Sequence, residues 1–310
     1  MQIQSSARRF ARYAWSVLAF NIAVVLWGAF VRATGAGAGC GQHWPLCNGE
    51  ILPRSPSLNT IIEFTHRATS GIDLVLVALL VFWAFRAFPR YHAVRQGATL
   101  SAVFLMTEAL LGAALVLLEH VAGNQSSARA YSLSAHLLNT LTLLACLTLT
   151  AWWATRKPPL RVAGRAAWMA ACSLGIVMIL GVSGAIAALG DTLFPSRSLA
   201  EGLARDFDPA ASIFVRLRIL HPVIATLAAT WLVFYALAAA ARRPRLRPRA
   251  WILLAMLAGQ VTAGVANLLL SAPVWMQIVH LLLADALWIS LVLLCAGTLE
   301  ADGVLADKTM

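Results

Sequence analysis

The sequence predicts an all-α integral membrane protein whose eight transmembrane helices form two tandem four-helix bundles related by internal duplication. Of its 310 residues, 60% are hydrophobic and 12% are charged, and the mean hydropathy is +0.76. Soluble globular domains are less apolar than this. A helix needs about 20 apolar residues to cross a bilayer, and eight stretches qualify. They cover approximately residues 14–33, 64–86, 98–119, 131–155, 166–189, 214–241, 250–271 and 274–297.

Basic residues predict the orientation of these segments. If the amino terminus is cytoplasmic, most of the 24 lysines and arginines lie on the inner side. The positive-inside rule therefore places both termini in the cytoplasm and the protein in the inner cell membrane. The net charge of +11 then indicates contact with anionic lipid headgroups and not with nucleic acid. The inner basic groups are in residues 8–12, 86–95, 156–165 and 242–249, with Lys308 near the end.

Residues 1–157 and 158–310 are predicted to be two copies of one four-helix unit. The fourth segment, SAHLLNTLTLLACLTL, resembles the eighth, IVHLLLADALWISLVLL, and the second, FTHRATSGIDLVLVALL, resembles the sixth, ILHPVIATLAATWLVF. Copies with an even number of helices have the same orientation in the membrane, as in parallel repeats.

Four histidines lie near the beginnings of the even-numbered segments: His66, His136, His221 and His280. Histidine is costly within a bilayer, which makes each one a candidate functional residue. Even-numbered segments run from outside to inside, so all four histidines are expected towards the outer face. Facing side chains in a bundle core build cofactor sites, and we expect His66 to face His136 and His221 to face His280.

Haem is the cofactor that suits such pairs best. Neutral imidazole also binds zinc and copper, but these metals would need further ligands, and the second half offers only the distant Asp285 and Cys295. Haem needs one or two axial histidines and a wide apolar slot. The alternative, a polar contact between helices, accounts poorly for four histidines at equivalent places.

Three arginines near the histidines are candidates for pairing with haem propionates. Arg67 follows His66 directly, and Arg216 and Arg218 lie within two helical turns of His221. A guanidinium group can bind a carboxylate through two hydrogen bonds. The alternative is that these side chains only extend to the membrane interface, and both interpretations remain open.

The two halves differ three residues before the first histidine of each, where one has Glu63 and the other has Arg218. Residues three apart share a helix face, and a carboxylate beside a haem can accept a proton. This predicts a reactive site in the first half and a fixed cofactor site in the second. The alternative for Glu63 is a charge that the helix dipole favours.

The first outer loop contains Cys40 and Cys47, which should form a disulfide on an oxidising side of the membrane. The pair is either a staple that shapes a lid or a redox-active pair. The roles of three acidic residues within the segments are not decided by the sequence: Asp73, Glu108 and Asp285. Glu108 and Gln260 each precede a glycine by four residues, which suggests a shared structural role.

Three motifs, GAFVRATGAGAGC, CGQHWPLCNG and EFTHR, together with the paired histidines, resemble those of the haem A synthase family. The resemblance implies an oxidoreductase that oxidises a methyl group of haem O to a formyl group, giving haem A for terminal oxidases. It implies Glu63 as the catalytic carboxylate, His66 and His136 as ligands of the substrate haem, and His221 and His280 as ligands of a resident haem b. It also implies a Cys40–Cys47 disulfide and haem O synthase as the substrate donor.

Two other functions remain possible at this stage. A transmembrane electron carrier of the cytochrome b561 kind would place ligand pairs near both membrane faces, whereas here all four are expected near one. A haem transporter or chaperone would explain the histidines but would leave Glu63 without a role. An electron-transfer partner is expected without being identified, and a homo-oligomer is possible.

Overall fold

A computed structural model of the chain describes residues 2–155 and 160–300, and these ranges contain helices and no β-strand. The predicted boundary at residues 157 and 158, and the basic residues Arg156, Lys157 and Lys308, lie outside the described residues. The helices are α1 (Gln2–Ala33), α2 (Leu58–Ala87), α3 (Ala93–Leu117), α4 (Ser127–Thr155), α5 (Gly164–Leu193), α6 (Leu199–Asp206), α7 (Ile213–Leu217), α8 (Leu220–Arg242), α9 (Arg247–Leu269) and α10 (Val274–Leu299).

Eight helical spans in the described residues are long and apolar enough to cross a membrane, which confirms the prediction of a multi-pass membrane protein. Most helices extend beyond the apolar stretch that hydropathy detects. Helix α2 begins at Leu58, six residues before the predicted start, because Ser57 caps it by accepting a hydrogen bond from the amide of Thr60 at 3.2 Å. Glu63 and His66 are therefore well inside a formed helix.

The sixth span is interrupted just before its histidine. Helix α7 ends at Leu217, and α8 begins at Leu220. Pro222 has no N–H to donate to a carbonyl of the preceding turn, so a continuous helix is disfavoured there. The interruption places His221 in the first turn of α8. The loop between α5 and α7 also contains α6, a short helix that was not predicted from the sequence.

The helices pack as two four-membered rings that share a seam. Helices α1 to α4 contact one another in a closed ring, and so do α5, α8, α9 and α10. Helices α1 and α4 pack on α5 and α10 between the rings. The most buried spans are α4 and α10, with 39% and 44% of their central residues buried, so the core of the molecule lies at this seam. Internal duplication and the two-domain division stay predictions.

Trp288 is expected to stabilise the seam. Its side chain is 1% exposed, and its Nε1 donates a hydrogen bond of 2.7 Å to the backbone carbonyl of Leu141. Trp288→Phe removes this bond and some buried volume, so it should lower the free energy of unfolding by about 1–3 kcal/mol. Thermal unfolding in detergent measures the change. Trp275→Phe, on the same helix but 59% exposed, is the matched control, and equal shifts for both variants would contradict the assignment.

Candidate functional site

His221 and His280 face each other in the second ring. Their ring centroids are 6.5 Å apart, and their planes are nearly perpendicular at 88°. A metal ion held between two facing imidazole nitrogens separates the centroids by roughly 6 Å, because each metal–nitrogen bond is about 2.0–2.1 Å and each ring adds about 1 Å. The observed spacing therefore fits one iron ion between the two rings.

Ser183 sets the tautomer of His221. Its hydroxyl donates to the carbonyl of Leu180 at 2.8 Å, so its oxygen is left to accept a hydrogen bond from Nδ1 of His221, 3.0 Å away. With the proton on Nδ1, the lone pair of Nε2 is free to bind a metal. Ser183 could not be predicted from the sequence, because nothing in the sequence around it distinguishes it from the other small residues of α5.

Glycines on neighbouring helices make room for three of the four histidine rings. A Cβ atom added at Gly184 of α5 would lie 3.0 Å from Cε1 of His221, and one added at Gly264 of α9 would lie 3.1 Å from Cε1 of His280. Gly28 of α1 packs in the same way on His66, at 2.9 Å. These distances are shorter than ordinary contacts, so any larger side chain would displace the ring.

The first pair, His66 and His136, lies in the first ring. His66 is within electrostatic range of His136 and Glu108, and Nδ1 of His136 lies 3.3 Å from Oε1 of Glu108. These two atoms are close without the alignment of a hydrogen bond. Nδ1 of both histidines is buried and has no hydrogen-bond partner, as is also true of Nδ1 of His280. These three nitrogens are buried polar atoms that the protein itself leaves unsatisfied.

Glu108 is anchored beside His136 by α4. The side-chain amide of Asn139 donates to its Oε2 at 2.5 Å, and the hydroxyl of Thr140 donates to its Oε1. In the second half, Gln260 holds the corresponding position, with its amide nitrogen 3.3 Å from Nε2 of His280. The shared spacing to a glycine suggested a shared structural role from the sequence, and it did not indicate that either residue lies next to a histidine.

Glu63, a residue of α2, is buried against the loop that joins α1 to α2. Its Oε2 accepts a 2.8 Å hydrogen bond from the backbone amide of Cys40, and its Oε1 accepts one from Arg67 at 2.5 Å. Nη1 of Arg67 also donates to the backbone carbonyls of His43 and Leu46, at 2.5 and 2.6 Å. Glu63 and Arg67 thus hold residues 40–47, which we call the disulfide loop, against the helix that carries His66.

Cys40 and Cys47 form the expected disulfide. Both cysteines are buried, at 0% and 1% exposure, so an external thiol cannot reach either sulfur while the loop is closed. Direct exchange with a partner would require the loop to open. This geometry favours the interpretation of the disulfide as a staple that shapes a lid.

The three arginines predicted to bind propionates differ in their surroundings. Arg67 uses most of the five N–H donors of its guanidinium group on Glu63 and the disulfide loop. Arg218 forms ion pairs with Asp191 at 2.9 Å and Asp206 at 2.7 Å. Arg216 is exposed. Their binding to propionates stays a prediction, and the existing partners of Arg67 and Arg218 weaken it.

Two other acids within the spans have different environments. Asp73 is fully buried and accepts a hydrogen bond of 2.5 Å from Asn21, which links α2 to α1. Asp285 is buried on α10, and its Oδ2 has no partner. Within the part of the chain that the structure describes, no group of three or more histidine, cysteine or acidic side chains could hold a metal ion. The donor sets are histidine pairs, which suit haem better than zinc.

Comparisons with known proteins place these sites in a family. The family model COX15-CtaA, described as cytochrome oxidase assembly protein, matches residues 11–292. A protein of Thermus thermophilus named protoheme IX farnesyltransferase is 50% identical over 296 residues, which are 94% of this chain and 49% of that protein. A heme A synthase of Bacillus mycoides is 44% identical over 110 residues, 35% of each chain, and one of Bacillus cereus is 43% identical over the same share.

The chain thus spans about half the length of the farnesyltransferase relative and a third of the heme A synthases. The match to the family model, in contrast, extends over all eight spans and includes Glu63 and the four histidines. The chain belongs to the COX15-CtaA family of cytochrome oxidase assembly proteins, the haem A synthase family.

Proposed function

We propose that this protein is a haem A synthase, an oxidoreductase that converts a methyl group of haem O to a formyl group. In this proposal His66 and His136 hold haem O as substrate, and His221 and His280 hold a resident haem b. The observation that carries the proposal is the inequality of the two sites. A buried carboxylate, Glu63, lies one helical turn from the first pair and is covered by a loop, whereas the second pair has the neutral neighbours Ser183 and Gln260.

The second site fits a cofactor that is kept in place. With the rings 6.5 Å apart and Ser183 bonded to Nδ1 of His221, His221 and His280 are the residues that would hold the iron of a bound haem. A bound haem b would supply one-electron transfer there. The protein supplies the orientation of the rings, through Ser183, Gly184 and Gly264.

At the first site, Glu63 is positioned to accept protons. Overall, a methyl group and one water molecule yield a formyl group, four protons and four electrons, so an external electron acceptor is required. Glu63 precedes His66 by one helical turn on α2, and its two oxygens are oriented by the amide of Cys40 and by Arg67. A carboxylate held in this way can take up a proton in a fixed place. The disulfide loop limits access of bulk water to the same region.

The substrate donor is proposed to be a haem O synthase. The Thermus thermophilus relative is named as a protoheme IX farnesyltransferase, and this chain matches about half of its length. The other half of that protein is available for farnesyl transfer, so both activities could reside in one polypeptide. Farnesylation of haem would then directly precede the oxidation proposed here. The farnesylated haem is hydrophobic, and it would enter a site within the membrane laterally from the lipid. A two-activity polypeptide would explain why this chain, with its two histidine pairs, is similar to half of a protein that is named as a farnesyltransferase.

Orientation and partners are also part of the proposal. The distribution of lysine and arginine supports cytoplasmic termini and haem sites towards the outer face. The electrons removed from the substrate are expected to leave to a separate electron-transfer partner. A homo-oligomer is compatible with the proposal and is not required by it.

The identity of the extracted haems tests this function. The full chain is expressed with and without a haem O synthase, and the haems are extracted and identified by mass spectrometry. Haem A should appear only when both proteins are present. Unchanged haem O bound to the purified chain would favour a transporter, and haem b alone in both cultures would favour an electron carrier.

Glu63→Gln should reduce haem A formation by at least about a hundredfold, because the amide cannot take up the proton that a general base removes. Haem b at the second site should remain. The measurement is the ratio of haem A to haem b in purified protein. Glu119→Gln, at an exposed position in the next outer loop, is the control and should leave the ratio unchanged. Persistent haem A in Glu63→Gln would remove Glu63 from the mechanism.

Gly184→Ala should weaken haem b binding at the second site, because the new Cβ would lie 3.0 Å from Cε1 of His221 and would displace the ring. Gly175→Ala on the same helix is the matched control, since nothing lies within 4 Å of a Cβ there. The absorbance of bis-imidazole haem per protein measures occupancy. We expect a loss of at least about half for Gly184→Ala and none for Gly175→Ala. Equal occupancy in the two variants would show that the ring is not held by this contact.

A further inference from the structure

Two arginines at the outer end of the seam lack a carboxylate partner. Arg129, in the first turn of α4, is 2% exposed. Its Nη1 donates to the backbone carbonyls of Ala122 and Asn124, at 2.5 and 2.9 Å, and its Nε has no partner. A buried cation bonded only to neutral groups is costly. Arg129 therefore marks a place where an anion would be stabilised.

Arg32, near the end of α1, lies within electrostatic range of Arg129. Its Nη1 donates to the carbonyl of Ala188 at 3.0 Å and to the hydroxyl of Thr192 at 2.8 Å. Its Nη2 donates to Oε1 of Gln277 at 2.9 Å. All three acceptors are neutral, and all three belong to the second half of the chain. Arg32 is thus a cation from the first half that lies among residues of the second.

The contacts of Arg32 place it just outward of the second histidine pair. Ala188 is one helical turn further out than Gly184, which packs on His221. Gln277 is about one turn further out than His280. One turn of helix corresponds to about 5.4 Å. The guanidinium group therefore bonds to α5 and α10 about one helical turn outward of the second histidine pair.

Asp191 is within electrostatic range of Arg32, but its ion pair is with Arg218. Arg218, the other arginine of this region, takes both nearby carboxylates, Asp191 and Asp206. Three guanidinium groups thus face two carboxylates. Among residues 2–155 and 160–300, no carboxylate lies within ion-pair distance of Arg32 or Arg129. The region therefore has an excess of positive charge, and Arg32 within it lies about one helical turn outward of the second histidine pair.

We propose that Arg32 binds a propionate carboxylate of the haem held by His221 and His280, and that Arg129 beside it adds a second positive charge. This inference rests on the proposed haem b site and assigns a role that the sequence analysis gave to Arg67, Arg216 and Arg218. It also means that the second site is incomplete without a residue from the first half. Only the carboxylate end of the ligand is recognised in this way, since arginine binds carboxylates through paired hydrogen bonds.

The test compares ferric haem b with its dimethyl ester, which lacks propionate charge. Both are titrated into haem-depleted full-length protein in detergent, and bis-imidazole absorbance reports binding. The wild type should bind the free acid at least about tenfold more tightly than the ester, as a charged hydrogen bond is worth that factor or more. Arg32→Gln should lose this preference, and Arg32→Lys should keep part of it because it keeps the charge.

Three further variants separate this role from the alternatives. Arg205→Gln, at an exposed arginine that pairs with Glu201, should retain the full preference. Thr192→Val removes a neutral hydrogen-bond acceptor of Arg32 and should also retain the preference for the free acid. If Arg32 had only a structural role, Thr192→Val should behave like Arg32→Gln. The proposal would be overturned if Arg218→Gln lost the preference for the free acid while Arg32→Gln kept it. It would also be overturned if both variants kept the preference of the wild type. The latter result is expected if Arg32 binds a phospholipid phosphate.

The same titration distinguishes failure of this inference from failure of the proposed function. If the wild type binds neither compound through His221 and His280, judged by an unchanged spectrum in His221→Ala, then the second haem site itself is wrong. If that spectrum depends on His221 while Arg32→Gln behaves as the wild type, only the role of Arg32 is wrong.

Discussion

A polar side chain inside a membrane bundle must find its partner within the protein, because the lipid core offers none. Most polar groups in these spans obey this constraint: Asn21 pairs with Asp73, and Trp288 with the backbone of α4. Among the described residues, the buried side-chain atoms without a hydrogen-bond partner include one oxygen each of Asn21, Asp73 and Asp285, together with three histidine nitrogens. The buried Nδ1 atoms of His66, His136 and His280 have no hydrogen-bond partner, and glycines on adjacent helices keep space for three of the rings. The space cleared around these rings marks where haem would bind.

The chemical difference between the sites follows from their neighbours. At the second pair, a hydroxyl fixes the tautomer of His221, and the nearest polar side chain to His280 is an amide. At the first pair, Glu108 of α3 lies 3.3 Å from Nδ1 of His136, and Glu63 is one helical turn from His66 on α2. Glu63 is in addition bonded to the backbone of the disulfide loop. The shape of that loop is therefore linked to the orientation of the proposed proton acceptor. By fixing the loop, the buried disulfide would help to hold Glu63 in place.

Hydropathy was sufficient to predict the eight spans, because crossing the bilayer imposes a length and an apolar composition that local sequence reveals. It did not predict where helices begin, since caps such as Ser57 and polar first turns lie outside the apolar stretch. It also missed α6, whose eight residues are too short and too polar to register. The pairing of the four histidines was predictable from the direction of each span.

The partners of the arginines were not predictable in the same way. An arginine beside a histidine can reach a propionate, a carboxylate or a backbone carbonyl, and the choice depends on the path of loops distant in sequence. Arg67 meets the disulfide loop because residues 40–47 fold back over α2. Arg32 meets α5 and α10, more than 150 residues away, and no local pattern indicates this. Ser183 is equally inconspicuous, although it determines which nitrogen of His221 is free.

The central claim is that the two histidine pairs hold different haems, and the haem content of two double variants tests it most directly. Each variant is purified from cells that also make haem O synthase, and its haems are quantified. His66→Ala with His136→Ala should retain haem b and lose farnesylated haem, while His221→Ala with His280→Ala should lose haem b and retain farnesylated haem. If both variants contained the same mixture of haems, the division into a substrate site and a cofactor site would be contradicted.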